Sequence, residues 1–180
     1  MKSVEIVAIV GSLRTGSANA ATARAAASLA PDGATITLHD VSDVPFYNGD
    51  VEQAGLPPSV SRLHELVGPA DGLLLFSPEY NGSFPAVTKN VIDWLTRPPK
   101  AWEGTALSLI ATTPGPRAGT GVRDHFSAIM AFQPIRLFET LGIGRYGEKI
   151  VESGELEDGA TRDELAAFVA RFADFCRQDH

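Results

Sequence analysis

The chain has 180 residues, of which 44% are hydrophobic and 21% are charged, and this composition suits one soluble globular domain over residues 1–180. Its net charge of −7 argues against nucleic acid or an anionic membrane as the main partner. No apolar run approaches the roughly 20 residues of a membrane-spanning helix, and no signal peptide precedes the first strand-like run, so we expect a cytoplasmic protein. The single cysteine, Cys176, excludes an internal disulfide and a cysteine-based zinc cluster.

Four apolar runs, separated by segments with helical spacing, predict an α/β fold. They cover residues 4–10, 34–38, 72–77 and 106–113. The first, third and fourth runs are almost continuously apolar, as in central strands covered on both faces, whereas the second alternates like an edge strand. We therefore predict a flavodoxin-like, doubly wound, five-stranded parallel sheet of order 2-1-3-4-5 with helices on both faces.

The predicted helices differ in how clearly the sequence marks them. One opens at about residue 20, and others follow Pro57 and Pro85. The last helix has a capping box at Thr161 and Glu164 and an apolar stripe that includes Cys176, which is therefore predicted to be a buried structural thiol. Between residues 122 and 151 the fourth helix and the fifth strand have no clear bounds.

The turn between the first strand and the first helix reads Gly11-Ser12-Leu13-Arg14-Thr15-Gly16-Ser17-Ala18-Asn19. Unpaired N–H groups and the positive end of the helix dipole favour a phosphate there. The predicted side-chain donors to it are Ser12, Arg14, Ser17 and Asn19. The turn lacks the third glycine of a dinucleotide fingerprint and the lysine of a nucleoside-triphosphate loop. It therefore favours a terminal monophosphate, and the alternative is a polar loop with an N-cap serine.

Two further loops should converge on this turn, because ligands of open α/β sheets bind beyond the carboxyl ends of the strands. The second loop covers residues 77–83, where Tyr80 can pack near a flat heterocycle and exposed amides can bond its polar edge. In the third loop, residues 112–119, Gly115 and Gly119 are predicted to lie close to a ring face.

The first turn, together with Ser77-Pro78-Glu79-Tyr80-Asn81-Gly82-Ser83-Phe84-Pro85 running into Lys89-Asn90-Val91-Ile92-Asp93-Trp94, resembles the NADPH-dependent FMN reductases. This family includes bacterial chromate and quinone reductases and azoreductases. The chain departs from the family pattern where Pro116-Arg117-Ala118 interrupts the glycine-rich third loop, and where Thr88 replaces an aliphatic residue.

The resemblance implies bound FMN, with NADPH or NADH as electron donor and quinones, flavins, azo compounds or chromate as acceptors. It also implies a homodimer or homotetramer with the flavin site at a subunit interface. The cofactor-binding residues that it implies are Gly11, Ser12, Arg14, Ser17, Ala18, Asn19, Pro78, Glu79, Tyr80, Asn81, Gly82, Thr113 and Gly115.

We expect no catalytic side chain and no metal, because hydride transfer would take place at N5 of the flavin. His39, His64 and His125 are interpreted as structural or surface residues, and Asp40 as a loop cap. The alternative function is that of a flavodoxin-type electron carrier, which binds FMN but does not react with nicotinamide.

Overall fold

The computed structural model describes residues 3–151, 153–157 and 159–178. Within these ranges the strands are β1 Val4–Val10, β2 Ala34–His39, β3 Gly72–Ser77, β4 Ala106–Thr112, β5 Arg136–Leu137 and β6 Leu141–Ile143. The helices are α1 Ala18–Ser28, α2 Gly49–Ala54, α3 Pro58–Val67, α4 Ala86–Leu95, α5 Thr120–Met130 and α6 Gly159–Arg177.

All strand pairs are parallel, and the sheet has the order β2-β1-β3-β4-β5, with β6 also paired to β4. The predicted order is confirmed, as is the edge position of β2. Every residue of β3 and β4 is buried, because helices cover both faces of these central strands. This burial explains why their sequences are continuously apolar.

The two faces of the sheet carry separate hydrophobic cores. Ile6 and Ala8 of β1 point toward α1 and α6, whereas Val7 and Ile9 point toward α3, α4 and α5. Successive side chains alternate between the faces of a strand, and each fully buried aliphatic side chain contributes about 2 kcal/mol. The sheet is therefore held on both faces, while its carboxyl edge stays available for loops.

The fifth strand position differs from the prediction because two short strands, β5 and β6, occupy it. Ala106 pairs with Arg136, but Ile110 pairs with Leu141. The segment opposite β4 therefore has one residue more than β4 between the two pairings. The hydroxyl of Ser108 donates to the carbonyl of Glu139 at 2.7 Å within this bulge. A side chain thus replaces a ladder hydrogen bond, which accounts for the weak strand pattern in the sequence.

The helix predictions are confirmed in existence but not in every detail. Helix α1 begins at Ala18 because Ser17 is its N-cap. Helix α6 begins at Gly159, so the predicted capping box is wrong, because Thr161 lies within the first turn. Helix α2 has no buried residue and therefore lacks the periodic apolar pattern from which a helix is predicted.

Cys176 lies on the buried face of α6, as predicted, and is 7% exposed. Burial raises the pKa of its thiol to about 12. The thiol therefore stays protonated at neutral pH and is a structural group rather than a nucleophile. In the part of the chain that the structure describes, no helix has both the length and the apolar character needed to cross a membrane.

Candidate functional site

The first loop, residues 11–17, joins β1 to α1 and is folded by its own contacts. The Ser17 amide donates to the Arg14 carbonyl at 3.1 Å, and the Arg14 guanidinium donates to the Gly16 carbonyl at 3.2 Å. Gly16 has a φ of +70°, which a residue with a side chain rarely adopts. These contacts close a tight turn directly before the N-terminus of α1.

This turn leaves a set of donors that fits a phosphate. Among the described residues, the amides of residues 12–16, 18 and 19 have no acceptor, and neither has the Ser12 hydroxyl. The Ser17 side chain accepts from the Ala20 amide at 3.3 Å and keeps its own O–H for a ligand. Amides at a helix start combine with the dipole to bind an anion, so the turn suits the phosphate of FMN.

Asn19 was predicted to contact the phosphate through its side chain, and the structure gives that side chain another role. Its Nδ2 donates to the Thr112 carbonyl and its Oδ1 accepts from the Thr112 amide, both at 3.0 Å. Asn19 is 2% exposed, so this pairing is buried and ties the start of α1 to the end of β4. Its backbone amide alone stays available to an anion.

The second loop contains a tight turn over residues 80–83. The amide of Tyr80 donates to the Ser83 carbonyl at 2.8 Å, and the Ser83 amide donates back at 3.0 Å. Asn81 and Gly82 have φ values of +53° and +76°, as a type I′ turn requires, and Asn-Gly is its preferred pair. Tyr80 is 53% exposed, and the turn displays its ring and two outward amides to a ligand.

Glu79 was predicted to bind the cofactor, but its carboxylate faces α5. Its Oε2 accepts from the Val122 amide at 3.0 Å, in the first turn of that helix, where a negative charge is favoured. Gly121 packs against the second loop, since a Cβ there would lie 2.8 Å from the Gly82 carbonyl oxygen and 3.1 Å from the Glu79 Oε2. Helix α5 thus contacts and supports the second loop. Because the Glu79 carboxylate is bonded to α5, the backbone of Glu79 is the part that is available to line a ring.

The third loop separates the two glycines that were predicted to lie on a ring face. A Cβ on Gly115 would meet no atom within 4 Å, so Gly115 is open to a ligand. A Cβ on Gly119 would lie 2.6 Å from that of Ala111, and its φ is +68°. Gly119 is therefore required for packing α5 against β4, and its contact with a ring stays a prediction. Thr113 is buried, and its amide donates to the Ile143 carbonyl at 2.9 Å.

A contact between Gly11 and Thr88 joins the first loop to the second. A Cβ on Gly11 would lie 1.8 Å from the Thr88 Oγ1. That hydroxyl lies 3.1 Å from the Ser77 Oγ, which in turn donates to the Pro78 carbonyl at 3.0 Å. The unusual Thr88 was the only sequence signal of this linkage, which positions both loops.

Two of the histidines, Asp40 and the two tryptophans hold the fold through their contacts or their burial. The Nε2 of buried His64 lies 3.0 Å from the Trp94 carbonyl, and His125 stacks on Phe84 with 4.8 Å between ring centroids. The Nδ1 of His125 also lies 2.7 Å from the Ser83 Oγ. Asp40 caps its own loop through Ser42, as predicted. Trp94 and Trp102 lie in the core, with 0% and 1% exposed.

Comparisons with known proteins identify the family of this chain. The family model of NADPH-dependent FMN reductases matches residues 4–143. An NAD(P)H-dependent FMN reductase of Pseudomonas aeruginosa is 43% identical over 131 residues, which make up 72% of this chain and 70% of that protein. A quinone reductase of Escherichia coli is 32% identical over 181 residues, covering 97% of this chain and 96% of its own.

A solved structure extends the match across the fold. FerB of Paracoccus denitrificans, a flavoenzyme NAD(P)H:(acceptor) oxidoreductase, superposes with a TM-score of 0.85 at 29% identity, over 96% of this chain and 97% of FerB. The part of the chain that the family model matches includes all three loops of the site. The chain therefore belongs to the NADPH-dependent FMN reductase family and is an FMN-dependent oxidoreductase that uses NAD(P)H.

Proposed function

We propose that this protein holds FMN across the carboxyl edge of β1, β3 and β4 and reduces quinones or free flavins with electrons from NADH or NADPH. Azo compounds and chromate are further candidate acceptors. The observation that carries the proposal is the pairing of two donor sets on neighbouring strands, one suited to a phosphate and the other to a flat ring. The chemistry that FMN supplies when bound is hydride exchange at its ring.

In this proposal the residues of the chain bind and orient. Ser12, Arg14 and Ser17, with the amides of Ala18 and Asn19, hold the phosphate, since charge-assisted donors bind a dianion most strongly. The backbone of residues 78–82 and of Gly115 lines the ring. Buried Thr113 supports the third loop next to Gly115. Outward amides of Asn81 and Gly82 meet polar atoms of the ring, where fixed donors stabilise developing negative charge.

A homodimer or homotetramer is part of the proposal. Phe46 is 74% exposed and lines a small cavity of about 130 Å³ beside the first loop. Exposed apolar groups next to a ligand site are typical of a subunit contact. Sedimentation equilibrium of the native protein measures the number of subunits.

Purified protein loaded with FMN is expected to oxidise NADH or NADPH when a quinone is supplied, with several-fold higher turnover than free FMN at the same concentration. Absorbance at the nicotinamide and flavin bands measures both processes. A protein that binds FMN but leaves both nicotinamides unconsumed would instead be an electron carrier of the flavodoxin type.

The phosphate assignment predicts a selective loss of affinity. The double substitution of Ser12→Ala and Arg14→Ala is expected to weaken FMN binding by about 30-fold, because it removes a charged and a neutral donor. Riboflavin binding should be almost unchanged, since riboflavin lacks the phosphate. Fluorescence quenching measures both affinities, and an equal loss of the two ligands would contradict the assignment. Ser17 is left intact, because its loss also removes the N-cap of α1.

A further inference from the structure

A second cleft lies beside the first loop, between residues 12–15 and the end of β2. Its volume is about 480 Å³, and the FMN phosphate of the proposed function would take the part beside Ser12 and Arg14. Leu13 and Leu38 form apolar walls and are 57% and 38% exposed. His39 and Asp40 line the polar side. Exposed leucines that line a cleft can pack against a flat ring, and the proposed FMN site uses the side of this cleft at Ser12 and Arg14 but not the β2 side.

The Asp40 carboxylate is held in place at the rim of this cleft. The Ser42 amide donates to its Oδ1 at 2.9 Å, and the Ser42 hydroxyl donates to its Oδ2 at 2.7 Å. These bonds lower the pKa of Asp40, so the group is charged at neutral pH. Each carboxylate oxygen keeps a lone pair. Asp40 can therefore accept further hydrogen bonds without moving.

The position of Asp40 indicates which ligand would use those lone pairs. In parallel sheets that bind dinucleotides on a glycine-rich first turn, a carboxylate near the end of β2 accepts from the ribose 2′-hydroxyl of the adenosine. This chain lacks that turn, but Asp40 lies at the corresponding end of β2 and lines the cleft. His39 supplies a flat neighbour, and burial lowers the pKa of its ring, which is therefore neutral at pH 7. A neutral imidazole and two leucines form a suitable surface for adenine, which is flat and uncharged.

We propose that this cleft binds the adenosine end of the nicotinamide donor, with Asp40 accepting from the ribose 2′-hydroxyl, so that NADH is preferred over NADPH. The inference rests on the proposed function and names its donor. Strand β2 lies two strands from β3, roughly 10 Å away. An extended dinucleotide is long enough to reach from the cleft to the second loop.

The charges around the cleft favour the same choice. A 2′-phosphate would bring up to two negative charges next to the Asp40 carboxylate, and like charges at this range repel. Arg14 is the one cation among the described residues that line the cleft, and the FMN phosphate engages it in the proposed function. Arg62 lies nearby but is paired with Asp43 at 2.5 Å. Among the residues that the structure describes, no unpaired cation thus offsets the repulsion along this wall.

Calorimetric titration of the FMN-loaded protein with ADP and with its 2′-phosphorylated form, adenosine 2′-phosphate 5′-diphosphate, tests the inference without turnover. We expect ADP to bind about tenfold more tightly, as for a carboxylate and a phosphate about 4 Å apart in water. Asp40→Asn keeps an acceptor for the Ser42 amide and should bring the two affinities within about twofold of each other. The ratio of kcat/KM for NADH over NADPH should fall by the same factor.

Asp50→Asn is the control, because it removes an exposed carboxylate that neither lines the cleft nor pairs with a described cation, and it should leave both ratios unchanged. Absent ADP binding, equal affinities in the native protein, or ratios that Asp40→Asn does not alter would each overturn the inference. If both nicotinamides are oxidised but Asp40→Asn does not change the ratio of kcat/KM for NADH over NADPH, only this inference fails. If neither is oxidised, the proposed function fails, and the ADP titration still decides whether the cleft is an adenosine site.

Discussion

Gly11→Ala is expected to lower the free energy of unfolding by about 3 kcal/mol, because a buried methyl group is forced into an occupied space. The added Cβ would lie 1.8 Å from the Thr88 Oγ1 and 3.1 Å from its Cβ. The backbone cannot retreat without loss, since the Gly11 amide donates to the Phe76 carbonyl at 2.8 Å. Thr88 is 2% exposed and has no room to turn away. Urea unfolding of the protein without FMN measures the loss.

A second substitution identifies the cause of that loss. Thr88→Ala removes the atom at 1.8 Å and leaves only the contact at 3.1 Å, so the double variant should be at least 1 kcal/mol more stable than the two single losses add up to. Gly115→Ala is the control for the loss of glycine itself, since a Cβ there meets nothing within 4 Å. It should change stability by less than about 0.5 kcal/mol. Equal losses for Gly11→Ala and Gly115→Ala would contradict the packing role of Gly11.

Asn19→Ala is expected to cost about 3 kcal/mol of stability in the absence of FMN. The substitution removes both hydrogen bonds to the Thr112 backbone and leaves a buried amide and a buried carbonyl without these partners. Thr112 is 1% exposed, so water cannot readily replace the lost contacts. Thermal and urea unfolding of the FMN-free variant measure the effect.

Ser12→Ala serves as the comparison for Asn19, because the Ser12 hydroxyl makes no hydrogen bond to any described residue. It should leave the stability of the FMN-free protein unchanged within about 0.5 kcal/mol and weaken FMN binding instead. If Asn19→Ala behaved like Ser12→Ala, the side chain would be a phosphate ligand rather than a brace between α1 and β4.

These buried contacts hold the three loops of the site together. Gly11, Thr88 and Ser77 join the first loop to the second, whereas Asn19 and Thr112 join the first to the third. Glu79 joins the second loop to α5. The donors that face the proposed ligand are therefore held by side chains lying below them, which reduces the reorganisation needed when a cofactor binds.

Most of the fold could be predicted from local pattern. The buried runs of β1, β3 and β4 differ from the alternating β2, and this contrast reflects how many faces of each strand are covered. The fifth strand position could not be predicted, because its bulge depends on a hydrogen bond between Ser108 and Glu139, 31 residues apart. Helix α2 was missed because it buries no side chain and so shows no apolar period.

The sequence by itself determined the strand order, the placement of the first and second loops after β1 and β3, and the family, because these depend on hydrophobic period and short motifs. Only the tertiary structure decided how individual side chains are used. It assigned Asn19 to Thr112, Glu79 to α5 and Gly119 to the core, and it placed Asp40 beside a cleft. A side chain with hydrogen-bonding groups can serve a ligand or a distant backbone equally well, and the choice depends on which strands and helices the fold brings within 3 Å of it.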